Sequence, residues 1–377
     1  MIDARYIQTQ TSGIGRYTEH LIGNLLEINK DLRLRLITHP SQPEPFKDER
    51  IDCQVYKPAP NSIRTRYQLN KKIDFTGVEL FHSPFNILPQ NLPLQSVFTL
   101  HDIMWLIDRG FCTDSKWRKI LTGSFYGKFI PDSVQDAAGI LTVSRHSKEA
   151  IEDYFPGMKG KVKVTYNGVD PIFTPMDVEK SARILRNIIP PGKKFVLVVG
   201  QGSPYKNHAG ALRAFLDAFP NDPDIVFVLV RRFQRGPGLD FVKLRNDSRM
   251  HGRFIHLEHV PFEVLLALYS AAHVFLFPSF YEGFGLPALE AMACGTPVLT
   301  SDRGALKEVG GSGSVQVNPE SREALSTALR ELFEDEEHHD EMRQKGLRRA
   351  SEFSWRRTAE QALEAFEEIH RPRKKDE

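Results

Sequence analysis

Two successive sets of short apolar runs, each interrupted by stretches of helical character, constrain the fold of this 377-residue chain more than any other feature. The first set lies at 33–38, 78–81, 96–100, 138–143 and 162–165, with helical stretches near 62–72, 115–130 and 145–154. The second lies at 195–199, 225–230, 253–256, 274–277, 297–299 and 314–317, again with helices between its members. Strands that alternate with helices assemble into parallel sheets wrapped by those helices. Between the two sets, N-G-V-D-P-I-F-T-P at 167–175 carries the turn chemistry of a linker, which puts a domain boundary near 172. The expected fold is α/β: two doubly wound, Rossmann-like domains with a cleft between them. Ligands of such sheets bind at the carboxyl ends of strands.

Within the second set, F-Y-E-G-F-G-L-P-A-L-E-A-M-A-C at 280–294 carries the most chemistry. An apolar strand, Val274 to Phe277, precedes it, and Gly295 closes the helix that it begins. Gly283 and Gly285 let the backbone approach a ligand, and Pro287 suits the first helical position. The N–H groups of 284 to 288 are therefore expected to face outward as an anion site. Glu290 lies roughly 6 Å along a helix that starts near Leu286, at about 1.5 Å per residue. A carboxylate there suits a hydroxyl beyond a bound phosphate, and Glu282 can accept hydroxyls on the other side. Two sugars around a diphosphate, a nucleotide sugar, is the economical ligand.

The spacing E-x7-E between V-F-L-F-P-S and A-C-G-T-P-V-L resembles the retaining glycosyltransferases of family four, which have the GT-B fold. The resemblance extends along nearly the whole chain. In the family's order stand S-G-I-G-R-Y-T at 12–18, Thr99-Leu100-His101-Asp102, Val143-Ser144, Asn167-Gly168-Val169-Asp170 and Pro204-Tyr205-Lys206-Asn207. The nearest subset is the bacterial mannosyltransferase-like group that builds surface polysaccharides.

This resemblance implies a metal-independent hexosyltransferase that needs no cofactor. It would move a mannosyl unit from GDP-mannose to a saccharide or lipid-linked acceptor. Other UDP-hexose or GDP-deoxyhexose donors, a hydrolase or epimerase, and a non-catalytic nucleotide-sugar-binding subunit are the alternatives. His101, at a strand end, is placed against the donor sugar, with Glu282 and Lys206 as the other catalytic groups. Donor contacts fall on Gly13, Gly15, Gly200, Gly202, Lys206, Glu282, Gly283, Phe284, Gly285, Leu286 and Glu290, and the nucleobase is held by backbone near Val260. Arg16, Tyr17 and Asp102 fall on the acceptor side. Tyr205 stands where the family usually has an arginine, so Arg231 or Arg232 is expected to supply the second phosphate cation. Met1 stands directly before the family's I-D-A-R, leaving the first strand a stub. The domains implied are 1–171 and 172–353, with 354–377 forming a last helix that crosses back to the first domain and a basic tail.

Other features exclude rival classes. Lys and Arg total 50 against 48 Asp and Glu, so bulk charge does not nominate nucleic acid. Cys53, Cys112 and Cys294 are far apart in sequence and read as reduced thiols. Neither a signal-peptide core nor an apolar run near 18 residues is present, so the expected location is cytoplasmic. The segment 115–131 mixes Lys and Arg with Trp117, Phe125, Tyr126 and Phe129 and could rest on an anionic membrane, its basic surface extended by Lys57, Arg64, Arg66, Lys71 and Lys72. Asp222-Pro223-Asp224 spells D-x-D but reads as a turn before a strand. His251, His256, His259, His338 and His339 form no convincing metal-ligand set.

Overall fold

Each apolar run ends up inside a parallel sheet. The computed structural model describes residues 1–8, 12–112, 116–231 and 239–370. Arg232, Ser115 and the basic tail at 371–377, all invoked above, lie outside the described residues. The chain divides into two compact units that part between Gly168 and Val169. Unit 1 holds residues 1–107, 117–168 and 354–370, and unit 2 holds 169–353 with a short segment around 108–112.

In unit 1 the strands are β1 (Ile2–Asp3), β2 (Leu34–Thr38), β3 (Ile51–Val55), β4 (Leu80–Ser83), β5 (Gln95–Thr99), β6 (Gly139–Thr142) and β7 (Val162–Val164), ordered β3-β2-β1-β4-β5-β6-β7. β3 is an edge strand whose I-D-C-Q-V sequence is only half buried, which is why no apolar run announced it. β1 is as short as the sequence implies. It pairs Ile2 with Leu36 and His82, while Asp3 forms a buried ion pair with Arg5 at 2.5 Å. A cavity of about 730 Å³, bounded in part by Met1, Leu34, Leu80 and Phe366, lies at the amino ends of these strands.

Helix α1 (Gly13–Ile28) starts at Ser12, whose hydroxyl accepts from the Gly15 N–H at 3.0 Å. Helix α2 (Lys116–Asp136) follows β5, beyond two short helical turns. The basic surface expected near it is smaller than the sequence suggests. Arg66 is 3% exposed and bound to Asp136 at 2.7 Å and the Leu88 carbonyl at 2.6 Å, so it serves packing instead.

Unit 2 repeats the plan with β8 (Lys194–Val199), β9 (Ile225–Val230), β10 (Phe254–Leu257), β11 (Val274–Phe277), β12 (Val298–Ser301) and β13 (Val315–Val317), ordered β10-β9-β8-β11-β12-β13. Its core joins Phe215 of helix α3 (His208–Ala218) to Phe227, Leu276 and Leu299, all under 1% exposed. Helix α4 (Leu286–Ala293) follows β11. Chain order reverses between β8 and β11, which are direct neighbours. That switch point opens a crevice at the strands' carboxyl ends, so the loops after β8 and β11 are set side by side there.

The last helix, α5 (Trp355–His370), returns to unit 1. Its Ala359, Ala362 and Ala365 present a low surface to Leu21, Ile22 and Leu25 of α1. Trp355 stacks on His20 with ring centroids 4.8 Å apart. Gly168 must be glycine for this packing, because a Cβ would lie 2.1 Å from the Trp355 nitrogen. Among the described residues, no helix is long and apolar enough to cross a membrane.

Candidate active site

The two switch-point loops of unit 2 are bound to each other through their backbones. The Phe280 N–H donates to the Tyr205 carbonyl at 2.7 Å. Asn207 adds a strap: its Nδ2 donates to the carbonyls of Pro278 at 3.2 Å and Pro319 at 3.0 Å, while its Oδ1 accepts from the Gly210 N–H at 3.2 Å. Asn207 sits in the left-handed region (φ 52), which asparagine tolerates better than most residues.

Across this junction Lys206 Nζ donates to Glu282 Oε1 at 2.6 Å, with the two side chains 9% and 10% exposed. Two residues 76 positions apart in sequence thus form one nearly buried ion pair. Such a pair is held by its geometry, and removing one member leaves the other charged and poorly solvated. The Lys206 ammonium also faces the rings of Phe277 at 4.8 Å and Tyr205 at 5.0 Å. Tyr205, standing where an arginine was expected, therefore contributes a ring face to the lysine.

Arg231 lies under the same loop. Its Nη2 donates to the Gly202 carbonyl at 3.2 Å, and a Cβ on Gly202 would meet the guanidinium at 2.7 Å. Gly202 is thus the residue that lets the cation come in close, whereas a Cβ on Gly200 would make only ordinary contact with His208 and Lys206, at 3.4 Å and beyond. Val260 lies in the half-buried loop after β10.

Helix α4 starts where the sequence suggests, but Pro287 falls one position later than expected. Leu286 is its first residue and Pro287 its second. Pro287 has no N–H, and Ala288 donates to the Gly285 carbonyl at 3.0 Å, so these positions offer nothing outward. The amides of Gly285 and Leu286, just before Pro287, make no hydrogen bond among the described residues. No side chain caps this start. Gly285 has φ 102, and a Cβ there would collide with Leu306 at 2.5 Å, so glycine is required twice over. Phe284 is buried edge-on against Phe353 at 5.8 Å, making it a packing residue whose backbone carries any ligand contact. Gly283 lies half-buried in the loop between Glu282 and Phe284. Glu290, one turn into α4, accepts from the hydroxyl of Tyr269 at 2.9 Å.

In unit 1, His101 follows β5. Its Nε2 lies 3.1 Å from the Pro84 carbonyl, so that nitrogen carries the proton and donates. Burial pushes the ring's pKa down to about 4, which keeps it neutral near pH 7 and leaves Nδ1 as an acceptor. Asp102 accepts from the Met104 N–H at 3.0 Å, holding the next turn. Gly15 approaches the Tyr6 carbonyl so closely that a Cβ would lie 2.5 Å away, whereas Gly13 has open space around its α-carbon. Arg16 is half-buried in the first turn of α1. Tyr17 is 1% exposed, its hydroxyl lies 3.1 Å from Thr99 Oγ1, and its ring meets His101 edge-on at 5.1 Å. It packs against the histidine from the core.

Two family models tile the chain. One, described as Glycosyltransferase Family 4, matches residues 11–173, and the other, Glycosyl transferases group 1, matches 182–349. An O-antigen chain mannosyltransferase B of Escherichia coli is 30% identical over 76% of this chain and 74% of its own length. The chain belongs to the family-four glycosyltransferases. A serotype-specific mannosyltransferase of Escherichia coli is 25% identical over 74% of this chain, which spans only 34% of that longer protein. A sucrose-phosphate synthase from Thermosynechococcus elongatus superposes with a TM-score of 0.73 over 98% of both chains at 21% identity, giving the fold as GT-B.

For this glycosyltransferase, sequence reasoning missed three groups that the structure brings to the site. Tyr269 binds Glu290 from a neighbouring helix, and no local pattern links the two. Asn207 and His208 stand beside Lys206 in K-N-H, a signal that was available but read only for its lysine. The D-x-D turn has the backbone role expected of it: Asp222 accepts from the Asp224 N–H at 2.8 Å, and Asp224 pairs with Lys193 at 2.7 Å.

Proposed function

We propose that the enzyme is a retaining, metal-independent mannosyltransferase that uses GDP-mannose and extends a saccharide or lipid-linked acceptor in surface polysaccharide synthesis. The observation that carries this reading is the Lys206–Glu282 pair beside the uncapped start of α4. The amides before Pro287 and the Lys206 ammonium would take up charge that develops on the departing diphosphate. Glu282 would then hold donor-sugar hydroxyls, and Glu290, kept in place by Tyr269, the ribose. Within unit 1, His101, whose neutral ring leaves Nδ1 as an acceptor, is the candidate for a sugar hydroxyl, and Arg16 and Asp102 are the candidates for the acceptor. The names of the two mannosyltransferase relatives favour the mannosyl donor over other hexoses.

Thermal-shift screening against GDP, UDP and ADP with EDTA present tests donor and metal independence together. At a hundred times Kd a true ligand adds about 2.7 kcal/mol to stability. GDP is expected to raise Tm most. A larger shift with UDP or ADP overturns the donor assignment, and a GDP shift abolished by the chelator overturns metal independence.

A peripheral position on an anionic membrane belongs to the same reading. Trp117, Ile120 and Leu121 on α2, 74%, 57% and 69% exposed, fall at the three- and four-residue spacings that share one helix face. The expected result is co-flotation with phosphatidylglycerol vesicles at low salt, lost in the double variant Trp117→Ser, Leu121→Ser. Equal flotation of both proteins would sink the assignment of this face.

A further inference from the structure

His208 is placed at the phosphate loop without any role in the mechanism above. It opens α3 two residues after Lys206, and the Asn207 strap fixes the direction in which its ring leaves the backbone. The residue is 6% exposed. Its Nδ1 is sealed in with no hydrogen-bond partner among the described residues. Its Nε2 points at Gly200, lying 3.4 Å from where a Cβ would stand, beside the Lys206 stem at 3.6 Å. The imidazole edge and the lysine stem therefore lie side by side against Gly200, in the loop that follows β8.

The ring's surroundings decide its protonation state. Burial, with Arg231 and Lys206 adding positive charge nearby, pushes the pKa down to about 3, and no carboxylate offsets this through direct contact with the ring. A neutral imidazole has one N–H. A proton on the sealed Nδ1 would be a buried donor without an acceptor, which costs about 1–3 kcal/mol, so the tautomer with hydrogen on Nε2 is favoured. That leaves an N–H aimed at the loop where the diphosphate is expected.

We infer that His208 is a further binding residue of the donor seat, donating its Nε2–H to an oxygen of the nucleoside diphosphate while staying neutral. The inference rests on the proposed donor site and names a contact within it. An ammonium and an imidazole together suit a diphosphate: one contributes charge, the other a directed donor that does not need to be desolvated as an ion.

Two substitutions separate this role from packing. Glutamine places its amide N–H₂ close to the position of Nε2, whereas leucine fills similar space with no donor. Calorimetric titration with GDP and with guanosine is expected to show His208→Leu weakening GDP about tenfold, as for loss of a hydrogen bond to a charged group. His208→Gln should stay within about twofold of the parent protein, and guanosine should bind all three alike. GDP binding to His208→Leu at parental strength overturns the inference, as does equal loss in both variants, which would make the ring a packing element. Failure of the parent protein to bind GDP, UDP or ADP at all would instead remove the donor site on which the inference depends.

Discussion

Glu282→Gln is expected to lower kcat at least about a hundredfold while leaving GDP affinity unchanged or tighter. The reason is the ion pair with Lys206. That lysine is engaged at 2.6 Å by a carboxylate, and an incoming diphosphate must draw the ammonium away from it. Glutamine keeps the shape and one acceptor but removes the negative charge, so the lysine is released more readily. The loss falls on the hydroxyl contacts that Glu282 is assigned to make during transfer. Stability changes in the same experiment. With its charged partner gone, a 9%-exposed ammonium is poorly compensated, at a cost of up to about 3 kcal/mol, or roughly 6–12 °C in Tm for a unit of this size. GDP supplies the missing negative charge, so its thermal shift on the variant should exceed that on the parent. Loss of GDP binding in step with activity would demote Glu282 to a residue that only holds the loops together.

Much of this arrangement was legible because the chemistry lies in contiguous motifs at strand ends. The apolar runs located the strands around Lys206, His101 and Glu282, and the E-x7-E spacing put the two carboxylates on either side of a helix start. What remained hidden was set by contacts distant in sequence. Nothing near Glu282 announces that Lys206 neutralises it, and nothing near Glu290 announces Tyr269. Tyr17 was placed on the acceptor side by resemblance alone, and its position on the inner face of α1 packs it against His101. Arg66 looked like surface charge, but a carboxylate and a carbonyl from elsewhere in unit 1 hold it inside. The start of α4 near Leu286 was legible, but Pro287 is its second residue and not its first, and because proline lacks an N–H, that single step changes which amides can meet an anion. β3 escaped notice because an edge strand needs no continuous apolar run.

The placement of the cations also explains how Tyr205 is accommodated. Arg231 reaches the loop from β9, and Gly202 gives it room. Two positive groups therefore stand at the loop, Lys206 within it and Arg231 from the neighbouring strand. Lys206 is the one engaged with Glu282 next to the α4 tip, and the central claim is that this tip and this lysine seat the diphosphate.

Titration of Lys206→Ala with GDP and with guanosine tests that claim most directly. Removing one charge-assisted contact to phosphate, and leaving Glu282 unneutralised in its place, should weaken GDP about 100-fold, some 2.7 kcal/mol. The carboxylate then repels the ligand that the lysine would have attracted, so the penalty exceeds that of a neutral hydrogen bond. Guanosine has no phosphate and should bind the variant as it binds the parent. A GDP affinity unchanged by the substitution, or an equal loss for GDP and guanosine in a folded variant, would contradict the account, since the diphosphate would then lie somewhere other than against Lys206.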